Sequence, residues 1–378
     1  MTKKVLLHKV IEDKTIVWFE NRNEYVIFEN TTADILKRIN KGISTKEIAA
    51  ALSKKLSVPI DKTIDFILDL EHKINDPKKI NNLELVNDYR DIKKPSTYNF
   101  IKYYKINNII CKVSYLNEME LSYVHPKFSH LEVDLVKEFN HEFEVFIHHN
   151  YIFLYVNKKL IGSWSSKDVH YFQGKFSMEL IQKIHQKEED KWLGVFHASA
   201  ISNGKKSMLF LGDSGNGKST SLALLQANGF TCLADDFVPV DAKKQEVYSF
   251  PAAISIKKNS LKTLLPIYPE LETTAEYNFT RLNKIVRYLK PNNADFFAHL
   301  PCNDLIFIKY EKDSELICSK ISNLEAFQQL VPDSWLSPIK ENAQTFLDWF
   351  ENLNCYQLTY SKNVEMIKTV SEIFNNDL

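Results

Sequence analysis

The stretch Ser207-Met-Leu-Phe-Leu-Gly-Asp-Ser-Gly-Asn-Gly-Lys-Ser219, continued from Thr220 to Asp236 as TSLALLQANGFTCLADD, decides how this chain is to be read. Residues 207–211 have the length and apolar character of a short buried strand. Gly212 to Ser219 match the pattern G-x-x-x-x-G-K-[ST], and Ser219 to Asn228 read as a helix with Leu222, Leu225 and Gln226 a turn apart. Strand, glycine loop and helix in that order make a phosphate-binding loop. The glycines let consecutive N–H groups point inward, and the helix N-terminus adds its positive end. Lys218 neutralises the outer phosphates and Ser219 can bind Mg²⁺. The candidate nucleotide-binding residues are therefore Gly212, Asp213, Ser214, Gly215, Asn216, Gly217, Lys218, Ser219 and Thr220. A flexible loop that merely spells the pattern is the competing reading. Against it, six of the nine glycines in the chain fall between Gly194 and Gly229.

One helix later, Phe230 to Ala234 reads as a second strand, and it ends in Asp235-Asp236, only 17 residues past Lys218. Adjacent carboxylates facing a Lys-Ser phosphate loop suit a division of labour in which one holds Mg²⁺ and the other accepts a proton from an incoming hydroxyl. The alternative is an Asp pair that caps the next turn.

His197-Ala198-Ser199, the loop from Gly212 to Ser219 and Ala234-Asp235-Asp236 together resemble the catalytic domain of HPr kinase/phosphorylase, which is distantly similar to phosphoenolpyruvate carboxykinase. The resemblance in hydrophobic pattern continues weakly to about residue 335. It implies transfer of the ATP γ-phosphoryl group to a serine hydroxyl. Asp235 would be general base, Asp236 and Ser219 would ligate Mg²⁺, Lys218 would bind phosphate, and His197 would lie beside the reacting group. A core histidine at a strand edge is the other reading of His197. Where those kinases carry Glu after GKS, this chain has Thr220, and their glycine-containing second signature has no counterpart here. Phosphorolysis, HPr as substrate and a hexamer are therefore not carried over. Downstream, the segment from Arg281 to Pro291 holds two of only five arginines, against 43 lysines. Arg287 or Lys284 either reaches the γ-phosphate or belongs to a solvated basic strand.

Outward from this centre, TIVWFE (15–20) and EYVIF (24–28) predict a hairpin with a turn at Asn21 to Asn23. Three helices should follow. Asn30 or Thr31 can cap the first, which stops at Gly42; Ser44 and Glu47 form a capping box for the second; and Pro59 opens a third carrying Ile60, Ile64, Ile67 and Ile74. A hairpin with three helices is a winged-helix-like module. Its third helix carries Asp61, Asp65 and Asp69 at i, i+4, i+8, where a DNA reader needs cations, so nucleic acid is not the expected partner. Residues 14–75 are similar to PqqD-like domains, the peptide-recognition modules of enzymes that modify ribosomally made peptides. That resemblance implies a leader peptide added as an extra strand beside the hairpin and clamped by the third helix.

The expected organisation is a PqqD-like module over residues 1–75, a polar linker over 76–97, a β-rich region over 98–190 and an HPr kinase-like P-loop domain over 191–378. The fold class is α/β, α+β overall. Lys and Arg together equal Asp and Glu at 48 each, so the whole chain has no net field drawing it to nucleic acid or an acidic membrane. The five cysteines are scattered and never paired as CxxC, which argues against a disulfide framework or a zinc site. No apolar run reaches signal-peptide or membrane-span length, and a cytoplasmic location is expected. These features lead to an ATP- and Mg²⁺-dependent serine kinase acting on a precursor peptide docked through its leader at residues 14–75. A homo-oligomer is left open. An HPr-like kinase for a folded protein or small alcohol, and a non-catalytic nucleotide-sensing adaptor, are the other readings.

Overall fold

The computed structural model describes residues 6–75, 94–279 and 284–375. The chain is mixed α/β with several sheets. It divides into two compact units, residues 1–82 with 322–352, and residues 83–321 with 353–378. The expected linker over 76–97 lies largely outside the described residues, and so does Arg281.

In the first unit β1 (Leu6–Ile11), β2 (Lys14–Phe19) and β3 (Glu24–Glu29) form an antiparallel sheet in that order. The expected hairpin is β2 and β3, with Val17 opposite Val26 and Trp18 opposite Tyr25. Strand β1, from the unremarked sequence LLHKVI, adds to the other edge of β2. Helices α1 (Asn30–Asn40), α2 (Thr45–Leu56) and α3 (Ile60–Asn75) follow where the spacing predicts them. Ser44 and Glu47 form the reciprocal capping box at α2. Asn30 does not cap α1; its Oδ1 accepts instead from Thr15 Oγ1 at 2.6 Å, tying the helix to β2.

Strand alternation gives this small sheet two buried faces. Val17 and Phe19, with Val26 and Phe28, pack on Ile35 and Leu36 of α1, Ile48 and Leu52 of α2 and Ile67 of α3. On the opposite face Tyr25 stacks edge-on against Phe346 at 5.4 Å and Phe327 at 6.0 Å. Phe327 and Phe346 belong to the helices Asn323–Leu330 and Lys340–Glu351, so the segment 322–352, which sequence order assigns to the kinase part, packs in this unit. Lys9 of β1 also pairs with Asp348 at 2.9 Å, and Asn23 Nδ2 donates to the Leu336 carbonyl at 2.7 Å.

The second unit begins with the β-rich region. Strands β4 (Phe100–Ile106), β5 (Ile109–Tyr115), β6 (Glu132–Val133), β7 (His141–His148), β8 (Tyr151–Val156) and β9 (Lys159–Ser165) form a sheet in the order β6-β4-β5-β7-β8-β9. Only β5 and β7 are parallel, and the crossover between them contains α4 (Glu118–Phe128), a helix the sequence reading does not anticipate. Helix α5 (Val169–His185) follows the sheet and buries Phe172 and Phe176.

A second sheet carries the phosphate-loop region. Its strands are β10 (Trp192–Phe196), β11 (Ser199–Ser202), β12 (Ser207–Leu211), β13 (Thr231–Asp235), β14 (Val238–Asp241), β15 (Glu246–Tyr248) and β19 (His299–Tyr310). They run β13-β11-β12-β19-β15-β14-β10, and the strand Asn354–Tyr360 pairs in parallel with the second half of β19 and antiparallel with β20 (Ile317–Lys320). Helix α6 (Lys218–Ala227) lies on this sheet through Leu222 and Leu225, against Phe210, Ile306, Leu358 and Val370. A small sheet of β16 (Ile254–Lys257), β18 (Lys284–Leu289) and β17 (Tyr277–Phe279), in the order β16-β18-β17, completes the unit. No helix among the described residues is long and apolar enough to cross a membrane.

Candidate active site

Strand β12 occupies residues 207–211 and α6 starts at Lys218, so the strand, loop and helix stand where the sequence puts them. Two glycines are demanded by this loop. Gly212 has φ +132°, and a Cβ there would sit 2.7 Å from the Ile308 carbonyl oxygen of the parallel neighbour β19. Gly217 has φ +96° at the start of α6, against Tyr310 Cβ and Tyr360 Oη at 3.3 Å. Gly212 leaves no room for a side chain, and both positions lie in the region of φ that side chains disfavour. The Asn216 carbonyl accepts from Tyr310 N at 2.9 Å, and Ser221 Oγ bonds Tyr360 Oη at 2.8 Å, which clamps the loop onto the sheet. Lys218 is buried, and its Nζ donates to the Gly212 carbonyl across the loop.

Asp235 ends β13 beside this loop and is almost wholly buried. Its Oδ1 accepts from Ser199 Oγ at 2.6 Å and from Ser219 Oγ at 3.1 Å, while its Oδ2 accepts from Ser255 N at 3.0 Å. Burial, followed by the nearby Asp236 charge, pushes its carboxyl up to about 6, against the opposing pull of those three donors. Asp236 breaks from the strand with φ +63° and turns into the cleft above the loop. A left-handed conformation in an aspartate is uncommon and strained, and here it falls at a candidate site.

The cleft is lined by His197, by Asp213 to Gly215 and Gly217 to Thr220 of the loop and first helical turn, and by Asp236. His197 is exposed at its rim, so the reading as a core histidine does not describe it. Ser255, Lys257, Asn259 and Ser260 close the remaining side. Lys257 Nζ donates to Ser214 Oγ at 2.7 Å, and Thr220 Oγ1 bonds Ser260 Oγ at 2.7 Å. None of these four was singled out in the sequence. The alternation Ile254-Ser255-Ile256-Lys257 is the signal that could have marked them, since the two isoleucines are buried and the polar pair faces the cleft.

Arg287 is not brought to this cleft. It is the register partner of Ile256, on the face of β18 opposite to that of Lys257 and Val286. Its guanidinium donates to the carbonyls of Leu271, at 2.5 Å, and Glu272, at 2.8 Å, and lies 3.5 Å from Glu276. It organises a surface loop. Lys284 opens β18.

Among the described residues no three His, Cys, Asp or Glu side chains converge as a protein-only metal cage requires. Magnesium does not ask for one: it is commonly held by one or two carboxylates or hydroxyls together with substrate phosphates and water. Ser219, Asp235 and Asp236 beside a phosphate loop fit that donor set, and a buried carboxyl with a raised pKa is one that a cation would stabilise in its ionised form. No protein-family model matches the chain, and no curated protein matches it.

Proposed function

We propose that the chain is a Mg²⁺- and ATP-dependent kinase that phosphorylates a serine hydroxyl of a ribosomally made precursor peptide held by its leader on the first unit. The observation that carries the kinase reading is the Ser219–Asp235–Asp236 arrangement at the head of the phosphate loop, with the Ser219 and Asp235 oxygens 3.1 Å apart. Magnesium, when bound, neutralises phosphate-oxygen charge as transfer proceeds. The chain's own residues divide the remaining work. Lys218 and the loop N–H groups bind and orient the phosphates. We assign Asp235, with Ser219, to the metal, because its carboxylate is enclosed by Ser199, Ser219 and the Ser255 N–H and has little access to an incoming hydroxyl. Asp236, turned into the cleft, is then the better general base, with His197 beside it at the rim. This reverses the roles that the family resemblance implies for the two aspartates.

The peptide part of the reading draws on the first unit. Strand β3 has β2 on one side and, among the described residues, no strand on the other, which leaves main-chain groups for an added strand. Helix α3 exposes Ile60, Phe66 and Leu68 together with Asp61 and Asp65, a surface suited to an amphipathic segment carrying cations.

Titration with Mg·ATP, followed by transfer from γ-labelled ATP to serine-containing peptides encoded by neighbouring genes, tests both parts. Lys218→Ala should abolish transfer. A chain that does not bind Mg·ATP would sink the kinase reading, and one that binds it but labels only folded proteins or small alcohols would sink the peptide reading.

A further inference from the structure

The geometry points to Lys257 as a second catalytic cation, one that holds the outer oxygens of the transferring phosphoryl group. This inference rests on the kinase reading and adds to it a residue that no motif in the sequence marks.

Lys218 and Lys257 reach the phosphate loop from different elements. Lys218 comes from the first turn of α6 and bonds the Gly212 carbonyl at the loop's start. Lys257 comes from β16 and bonds Ser214 Oγ, near the loop's middle, at 2.7 Å. The direction of approach is what matters. Two residues earlier on β16, Ser255 lines the same cleft, and its main-chain N–H, in the plane of the sheet, holds the Asp235 carboxylate at 3.0 Å. A strand advances about 3.4 Å per residue, so Lys257 leaves its strand roughly 7 Å from that contact. It lines the cleft together with Asp236 and His197, where the terminal phosphoryl and the accepting hydroxyl must meet.

The strand is also well braced. Ile254 and Ile256 are buried in the core that contains Leu222 and Leu225 of α6, and the turn after Lys257 is tied to α6 through the Ser260–Thr220 hydroxyl pair. Rotation of the side chain on so fixed a base carries Nζ from the Ser214 hydroxyl toward an anionic oxygen in the same cleft. Both bonds carry the ammonium charge, but only a phosphoryl oxygen adds an opposite charge to it, so the exchange favours bound phosphate. In the transfer step the acceptor oxygen forms its bond to phosphorus while the bond to the bridging oxygen breaks. ADP leaves with that electron pair, and the acceptor's proton passes to Asp236. Charge spread over the equatorial oxygens in this step is what a preorganised cation stabilises. The role that the sequence offers to Arg287 or Lys284 falls, in this reading, to a lysine on the paired strand.

The test compares Lys257→Met and Lys257→Arg with wild type, with circular dichroism to verify folding, using Mg·ADP, Mg·ADP with aluminium fluoride as a mimic of the transferring group, and steady-state turnover. Wild type should bind the mimic more tightly than Mg·ADP. Lys257→Met should lose about tenfold or more of that preference, keep its Mg·ADP affinity within about twofold and lose about 10² in kcat, while Lys257→Arg retains much of both. An unchanged preference and kcat in a folded Lys257→Met protein overturns the inference alone, and so does an equal loss of affinity for Mg·ADP and the mimic. A wild-type protein that binds no Mg·ADP overturns the kinase reading and this inference together.

Discussion

Ser219 Oγ and Ser199 Oγ both donate to one oxygen of Asp235, at 3.1 and 2.6 Å, while the Ser255 N–H occupies the other. The next residue, Asp236, is half-buried and lines the cleft. Two neighbouring carboxylates thus live in different environments, and this difference separates their expected mutant phenotypes.

Asp235→Asn should weaken Mg·ATP binding and the fold together. The asparagine oxygen can still accept from both serines, but its amide then opposes the Ser255 N–H, and a buried donor without an acceptor costs about 1–3 kcal/mol. Asp236→Asn should instead bind Mg·ATP within about threefold of wild type and lose roughly 10² or more in turnover, the usual share of a general base. Calorimetric titration and turnover on both variants decide the assignment. The opposite pattern would restore Asp235 as the base.

The backbone at Asp236 makes a separate prediction about stability. A non-glycine residue at φ +63° carries strain on the order of 1 kcal/mol, which glycine does not. Asp236→Gly should therefore unfold at higher denaturant than Asp236→Ala by about that amount, although both lose turnover. Urea midpoints test this directly, and equal midpoints would remove strain from the account of the site.

How much of this was legible in sequence follows from what each feature depends on. The phosphate loop and the Ser44–Glu47 box are local: a handful of consecutive residues set their hydrogen bonds, and both appear where the spacing puts them. Lys257 and Arg287 are not local. Which of them faces the loop depends on β16 pairing with β18 so that Ile256 lies opposite Arg287, a register between residues some thirty apart that no local pattern encodes. The same holds for segment 322–352. Its apolar spacing marks helices, but only the second face of β2 and β3, with Trp18 and Tyr25, says what those helices cover. Asn30 was read as a cap because its position allows it, and Thr15 on β2 takes its oxygen instead.

His185 supplies the pH dependence. Burial, opposed by its bond to the Ser249 carbonyl and reinforced by nearby Lys187 and His299, lowers it from the ordinary 6.5 to about 4. Its ring packs edge-on to Tyr248 at 4.9 Å and Trp192 at 5.7 Å. Because the folded value is depressed, the native state binds the proton less well than the unfolded chain. The stability it contributes is complete above 6.5 and is lost as pH falls toward 4. Between about pH 7.5 and pH 5 this group should remove about 2 kcal/mol. His130, lowered to about 4 by burial, acts in the same direction. The difference between urea curves at the two pH values should shrink by about 2 kcal/mol in His185→Phe, and an unchanged difference would show that the imidazole is not the group responsible.

The last prediction concerns how the first unit can be tested at all. If it only captures a leader, removing residues 1–75 should spare ATP hydrolysis and lower kcat/KM for a full-length peptide. The core of that unit argues that the truncation fails for a different reason. Deleting β2 and β3 strips Tyr25 from Phe327 and Phe346, leaving the helices 323–330 and 340–351 with an uncovered aromatic face. The truncated chain should therefore aggregate or lose order in segment 322–352, which light scattering and proteolysis at those residues would report. Surface substitution avoids this. Phe66 and Leu68 on α3 are 44% and 48% exposed, so Phe66→Glu and Leu68→Glu remove apolar contact area and cost the fold little. Each should raise KM for a full-length precursor about tenfold, recover at high peptide concentration, and leave both ATP hydrolysis and the rate on a leader-less peptide unchanged, because the loss is one of tethering. An unaltered KM in both variants would locate leader recognition away from α3, and a stable, monodisperse truncation lacking residues 1–75 would overturn the shared core as the reason for caution.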